Sequence, residues 1–593
     1  MILHDDVLET QIQNDFYTAD SKFQILNRQR KMINFYISDV FMKYQNDVYI
    51  RKNRRDIMLK RGLSIILASL MAVSMVTACG NAEDVNKNQQ TAGDTTSDAE
   101  DAGDVSDDED DDEEMKTVEL YSVDMDGGSD ITEVAEKVNE ITEDKIGVHV
   151  NFNMLDFGSY LQQVGLKMAG NERMDLMLIT PAPPTTFTSL VSQNQLLDIN
   201  GMLDEYAPGI KENMGEFLNG TKIGDSIYAV GVECGFATNA YVIMRKDILD
   251  ELGLTEKAQN LSSWSEYEEI LDAVYQANQD GSLPEDLRTT ACVSNSNSNG
   301  GILPLGSFYA GEDSFADAYG TDVLGDAYGI ISTDEATDTV APYYESEEYY
   351  KMLEMVNNWY KKGYVYKDAA LTENNGDVLL KDGVTFSTII TGQVGAENAR
   401  KSTTGYDVIA AQIVSVPMGS SVTQTFALGV PITAEEPEAA VEVMNLLYTD
   451  ADIQNLLVWG IEGKDYTLND AGEAVKTENA TYSSHIFLWG NGLLSYPAEG
   501  QGGDYMERLK AADDAAPISK YLGFSADVSG IANELTAVNN VINQYRATIE
   551  SGSSTDLKAD YDTYCQAMKD AGIDKIISTY QEQLNEWLAN QGK

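Results

Sequence analysis

The segment "TVELYSVDMDGGSDITEVAEKVNEITEDKIGVHVNFNMLDFGSYLQQVGLKMAGNERMDLMLIT", Thr117 to Thr180, carries the pattern that decides the fold. "TVELYSV" (Thr117 to Val123) alternates apolar and polar residues as a half-buried strand does, and "ITEVAEKVNEITEDKIG" follows with apolar residues at helical spacing. "VHVNFNML" alternates again, "GSYLQQVGLKMAGN" reads as a helix ending at Gly170, and "MDLMLIT" is an almost continuous apolar strand. The order is βαβαβ. Strands alternating with helices predict a parallel sheet covered on both faces, joined by right-handed crossovers. The loop "DMDGGSD" lacks the GxGxxG spacing of a dinucleotide turn, which argues against a dinucleotide site.

Beyond this unit the chain is long enough to bury more than one core, and its length predicts more than one lobe. The tail reads as helical: "IANELTAVNNVINQYRATIE" places Ile531, Leu535, Val538, Ile542, Tyr545 and Ile549 on one face, and "IDKIISTYQEQLNEWL" does the same with Ile573, Ile576, Ile577, Tyr580, Leu584 and Trp587. In "YYKMLEMVNNWYKKG", the residues Tyr349, Tyr350, Trp359 and Tyr360 follow helical spacing and read as core or surface of a helix.

Several further segments carry a resemblance to a known family. They are "AGNERMDLMLI" (Ala169 to Ile179), "LLDINGMLDEYAP" (Leu196 to Pro208), "IYAVGVECGFATNAYVIMRKDILDELGL" (Ile227 to Leu254) and "TGQVGAENAR" (Thr391 to Arg400). "EEPEAAVEVMNLLYTDADIQNLLVWGIEGKDY" (Glu435 to Tyr466) and "WGNGLLSYP" (Trp489 to Pro497) continue the series. In order and spacing the chain resembles the extracellular solute-binding proteins of sugar-type ABC importers, in particular the longer LplA-like lipoproteins with a C-terminal domain of uncharacterised role. The resemblance implies an α/β, two-lobed, periplasmic-binding-protein-like fold of type II, with hinge strands and a helical C-terminal region. It also implies a carbohydrate ligand, an ABC permease as partner and no cofactor. The expected division is a two-lobed solute-binding domain at 117–515 and a helical C-terminal domain at 516–593.

Ahead of the fold, "SIILASLMAVSMVTACGN" (Ser64 to Asn81) is an apolar run preceded by Lys60 and Arg61 and followed at once by polar sequence. It is shorter than the ~20 residues that cross a bilayer core and has the layout of a secretory signal peptide. "VTAC" (Val76 to Cys79) resembles the lipobox of bacterial lipoproteins, which implies a signal peptide at 58–79, a lipid such as palmitate on Cys79, and attachment to the outer face of the cell membrane. Because a signal peptide leads its chain, Met58 is the expected start and 1–57 an upstream extension. Arg54, Arg55 and Asp56 have purine-rich codons available that form a ribosome-binding sequence ahead of Met58. Residues 80–116 are dense in Asp and Glu with almost nothing apolar, and are expected to form an extended, disordered tether.

The formal net charge of −57 gives a surface that repels phosphate backbones and anionic lipid, so no nucleic acid partner is expected. Beyond Cys79 only Cys234, Cys292 and Cys565 remain, without the close spacing of a metal site or a disulfide framework. Of three histidines, His149 sits in an alternating strand and His485 has no HExxH context, so neither a nucleophilic triad nor a catalytic zinc is called for. The chain is therefore not expected to be an enzyme; with the resemblance, it is expected to be a binding protein, and a monomer. A peptide or other polar solute is the alternative ligand, and a surface glycan-active enzyme the alternative class.

Recognition of a neutral sugar calls for carboxylates and amides that grip hydroxyls and for aromatic rings that cover C–H faces, all presented by loops on a rigid scaffold. The loop after the first strand offers Tyr121, Asp124 and Asp126, where parallel sheets usually bind ligands. The segment resembling an interlobe crossing offers Glu233, Phe236 and Asn239. Later loops offer Trp459, Trp489 and Asn491.

Overall fold

A computed structural model of the chain describes residues 115–294, 313–315, 322–326 and 328–591. The expected extension, signal peptide with Cys79, and nearly all of the acidic tether lie outside the described residues.

The opening unit is βαβαβ: β1 (Lys116–Asp124), α1 (Thr132–Ile146), β2 (Val148–Asp156), α2 (Phe157–Gly170) and β3 (Leu176–Ile179). In α1, Val134 and Val138 face the core, and Gly147 ends the helix at φ 64°, a left-handed position that glycine adopts without Cβ strain. The Asp156 side chain caps α2 by accepting from Ser159 N–H at 3.1 Å. β1 pairs in parallel with β2 and with β3. Tyr121 belongs to β1, where it pairs with Met177, and not to the loop after it.

The chain then runs through β4 (Val230–Gly231) and crosses into a second lobe. There β5 (Thr238–Arg245), β6 (Ala291–Val293), β7 (Thr385–Gly392) and β8 (Val408–Val416) form a sheet in the order β8-β5-β7-β6. β5 is antiparallel to both neighbours, and β7 and β6 are parallel. The chain returns through Pro417 and Met418 and enters the first sheet as β9 (Ala427–Gly429). The N-lobe sheet is thus β2-β1-β3-β9-β4, with β9 antiparallel to β3 and to β4. The parallel sheet expected from the first segment holds for three strands. The other two are mixed in because the chain leaves and re-enters this lobe at one edge.

Two large apolar cores match the lobes. One runs from Val118 to Ala237 and resumes from Met418 to Trp489. The other begins at Ala240 and extends to Leu588. Its aromatic centre joins Trp264, Phe315, Tyr267 and Trp359, with ring centroids 4.9–6.5 Å apart. Tyr349 and Trp359 are buried on the helix Glu347–Lys362, while Tyr350 and Tyr360 lie at its margin. The tail forms three helices, Ala532–Glu550, Leu557–Asp570 and Ile573–Asn590. Their stripes, including Val538, Ile542, Ile549, Tyr580 and Leu584, complete the core of the second lobe. The middle helix escapes a periodicity reading because it buries only Leu557, Tyr564 and Met568.

Candidate functional site

The edge of the N-lobe sheet that faces the crossings follows from strand direction. β4 leaves this sheet toward the second lobe and β9 re-enters from it, and Ala427, the first residue of β9, pairs with Ile179, the last of β3. The carboxyl ends of β1, β2 and β3 therefore face the hinge, the position where open α/β sheets take their ligands.

At this edge Asp124 accepts from the backbone N–H groups of Gly127, Gly128 and Ser129 at 3.0, 2.7 and 3.0 Å, and so shapes its own loop. The turn presents Asp126 outward. The Asp126 carboxylate accepts from Ser483 Oγ at 3.0 Å and lies 3.4 Å from His485 Nε2. Partial burial pushes this carboxyl up, but Ser483 and His485 outweigh it and hold Asp126 below the ordinary carboxylate range. The His485 ring stacks on Phe487 at 5.0 Å and 19°, and Phe487 packs on Phe426 at 4.9 Å. His485, Phe487 and Phe426 are all partly exposed. The outcome is a tier of three rings beside a carboxylate and a hydroxyl.

Between the lobes lies a pocket of about 220 Å³, open to solvent. Phe236, Met418, Ser420 and Ser421 line it from the crossings and the N-lobe, and Thr238, Thr391, Leu324, Tyr521 and Phe524 from the second lobe. Asp322 also lines it, with Oδ1 accepting from Leu324 N–H at 2.6 Å and Oδ2 accepting from Ser519 Oγ. Burial raises the Asp322 pKa.

The structure distributes the sequence-derived candidates unevenly. Asp126 joins the ring tier and Phe236 lines the pocket. Tyr121 is buried in β1, with Lys167 Nζ 5.4 Å from its ring centre. Trp489 is fully buried: its Nε1–H donates to Ser484 Oγ at 2.8 Å and its ring meets Phe152 edge-on. Trp459 donates to Tyr496 O at 2.9 Å and packs beside Tyr466. Asn491 is buried and caps a short turn by accepting from Leu493 N–H at 3.1 Å. Asn239 is buried at the start of β5, donating to Tyr241 Oη and accepting from Ser415 Oγ at 2.7 Å. Glu233 is buried in the crossing itself.

Sequence reasoning passed over Phe426, Phe487 and the pocket residues Thr238, Thr391 and Tyr521. An exposed Phe in a loop carries no periodicity that separates it from a buried one, and from the sequence His485 reads only as a possible catalytic group. Among the described residues no group of three or more His, Cys, Asp or Glu is arranged to hold a metal ion, and Cys234, Cys292 and Cys565 are free thiols.

A two-lobed α/β protein with its polar and aromatic groups gathered at an interlobe hinge has the build of a solute binder that closes around its cargo. The family described as bacterial extracellular solute-binding protein matches residues 124–454, more than half of the chain, and the chain belongs to that family. A domain of unknown function, DUF3502, matches residues 520–589. A carbohydrate ABC transporter substrate-binding protein of Streptococcus pneumoniae serotype 4 is 21% identical over 538 residues, covering 88% of this chain and 98% of that protein. The crystal structure of the N-glycan transport solute binding protein NgtS from Streptococcus pneumoniae matches with a TM-score of 0.64 at 18% identity, over 80% of this chain and 100% of that one. Its complex with Man1GlcNAc matches at 0.54 with the same identity and coverage. At this identity the structural likeness establishes the fold.

Proposed function

We propose that this chain captures an oligosaccharide between its lobes at the cell surface and delivers it to the permease of an ABC importer, held to the membrane by a lipid on Cys79. The carrying observation is the tier of Phe426, Phe487 and His485 beside Asp126 and Ser483 at the hinge-facing edge. Partly exposed rings offer flat apolar faces to sugar C–H groups, and an adjacent carboxylate accepts from sugar hydroxyls. The names of the pneumococcal relatives, one a carbohydrate importer subunit and one an N-glycan carrier, support the same ligand class. The resemblance of Val76–Cys79 to a lipobox supports the anchor, as two acyl chains hold a protein stably where one does not. No helix among the described residues is long and apolar enough to cross a membrane.

The test is a thermal-shift screen of the protein against high-mannose glycans, fructo-oligosaccharides and peptides, with chromatography of each glycan afterwards. A binder raises its melting temperature with a glycan, by an amount that grows with ligand concentration, and leaves the glycan intact. Stabilisation by peptides alone replaces the ligand class, and new sugar products replace the binding reading with a glycan-active enzyme.

A further inference from the structure

At the first crossing the backbone is stitched to the N-lobe: Glu233 N–H donates to Gly490 O at 2.8 Å, and Gly492 N–H donates to Glu233 O at 2.7 Å. The Glu233 side chain turns inward, accepts from Gly235 N–H at 2.9 Å and is 5% exposed. Facing it is Asp513, on the helix Tyr505–Ala515 and 3% exposed, whose Oδ1 accepts from Ala237 N–H at 2.6 Å at the far end of the same crossing. Asp513 Oδ2 is buried and makes no hydrogen bond. Glu233 and Asp513 are both anchored on backbone N–H groups of this one short crossing, at Gly235 and Ala237, and each carboxyl acts on the titration of the other. Two carboxylates are both acceptors, so they bond to one another only when one carries a proton.

The helix that bears Asp513 touches both lobes. Tyr505, Met506 and Leu509 pack with Val394, which follows β7, and with Ile486 and Leu493, while Ala512 packs on the N-lobe core. Whatever fixes this helix to the crossing therefore fixes how one lobe sits on the other.

We propose that Glu233 and Asp513 share one proton, that this proton latches the crossing to the helix Tyr505–Ala515, and that its loss loosens the hinge between the lobes. With the proton in place the pair forms one hydrogen bond and carries one negative charge. Without it, two buried like charges face each other and repel. Burial, together with the charge of Asp513, pushes Glu233 up to about 8, and burial raises Asp513 as well. The other ionisable groups facing the pair do not supply this titration. Burial pushes the neighbouring Cys234 thiol up to about 12 and the Tyr448 phenol, on the helix Pro437–Thr449, well above its ordinary value. Burial also raises Tyr505. Lys510, one turn from Asp513, is half exposed and paired with Asp514.

The experiment needs no ligand. Infrared difference spectra of the whole folded protein between pH 6 and pH 9.5 read the carboxylic acid C=O band, and small-angle scattering over the same range reads the spread of interlobe arrangements. The expected result is a protonated-carboxyl band that disappears with a midpoint near pH 8, a broader scattering ensemble above that midpoint, and loss of both changes in Glu233→Gln. Gln supplies a permanent donor to Asp513, so this variant stays latched. Asp513→Asn provides the reciprocal check and should likewise remove the transition. Disappearance of the band in the ordinary carboxylate range, or a scattering change that persists unaltered in Glu233→Gln and Asp513→Asn, overturns the proposal. Because no solute is present, failure here leaves the glycan reading standing, and failure of the glycan screen leaves the latch standing.

Discussion

Trp489 and Phe487 stand two residues apart and are expected to fail in opposite ways when truncated. Trp489 is 0% exposed, and its indole N–H is already bonded to Ser484 Oγ at 2.8 Å, so Trp489→Ala opens a cavity in the N-lobe core. A buried indole removes about 200 Å² from water, worth about 5 kcal/mol at about 25 cal/mol per Å², and such core truncations cost about 3–5 kcal/mol. Phe487 is partly exposed and held by two ring contacts, with Phe426 and His485. Phe487→Ala is expected to cost little stability and to remove one stacking surface, about 1–2 kcal/mol of binding, or about five- to thirtyfold in Kd. Denaturant unfolding reports the first effect and titration calorimetry the second, using the glycan that gives the largest thermal shift. A Trp489→Ala protein of unaltered stability but abolished binding would refute the placement of the indole in the core. A Phe487→Ala protein that binds the glycan as the parent does would refute the ring tier as the sugar platform.

Gly490→Ala should prevent stable folding of the N-lobe, because a Cβ there would lie 2.1 Å from Leu447 O at a backbone φ of 37°; circular dichroism and expression yield in soluble form report the outcome, and a stable alanine variant contradicts it. Stability against unfolding should fall with rising pH between about 4.5, the unfolded value of Glu233, and about 8, its folded value. Over that window the native state holds a proton that the unfolded chain releases, so stability declines by at most about 1.4 kcal/mol per pH unit for this group. Glu233→Gln should flatten that part of the profile in urea titrations. Cys79→Ser should release the protein from membranes in fractionation experiments, and a variant that stays bound and lipid-labelled excludes the anchor.

The βαβαβ unit was legible in the sequence because its signals are local. Alternation over Thr117–Val123, the helical spacing around Val134 and Val138, and the apolar run Leu176–Ile179 each identify an element from its own residues. The same holds for the outer two tail helices, whose stripes are dense enough to count. The candidate site was only partly legible. Asp126 stands out in the sequence because a loop after a first parallel strand has a known destination, and Phe236 because it lies in the crossing. What the sequence does not encode locally is which aromatic faces solvent. Trp489 and Phe487 share a short segment, yet Phe152 and Ser484 close over one ring while Phe426 and His485 leave the other partly open. Contacts between residues hundreds of positions apart, such as Asp126 with Ser483 or Glu233 with Asp513, exist only once the chain has crossed between lobes and returned. Side-chain periodicity therefore determined the elements and their class, whereas the double crossing, a property of the tertiary fold, decided which carboxylates and rings meet at the hinge.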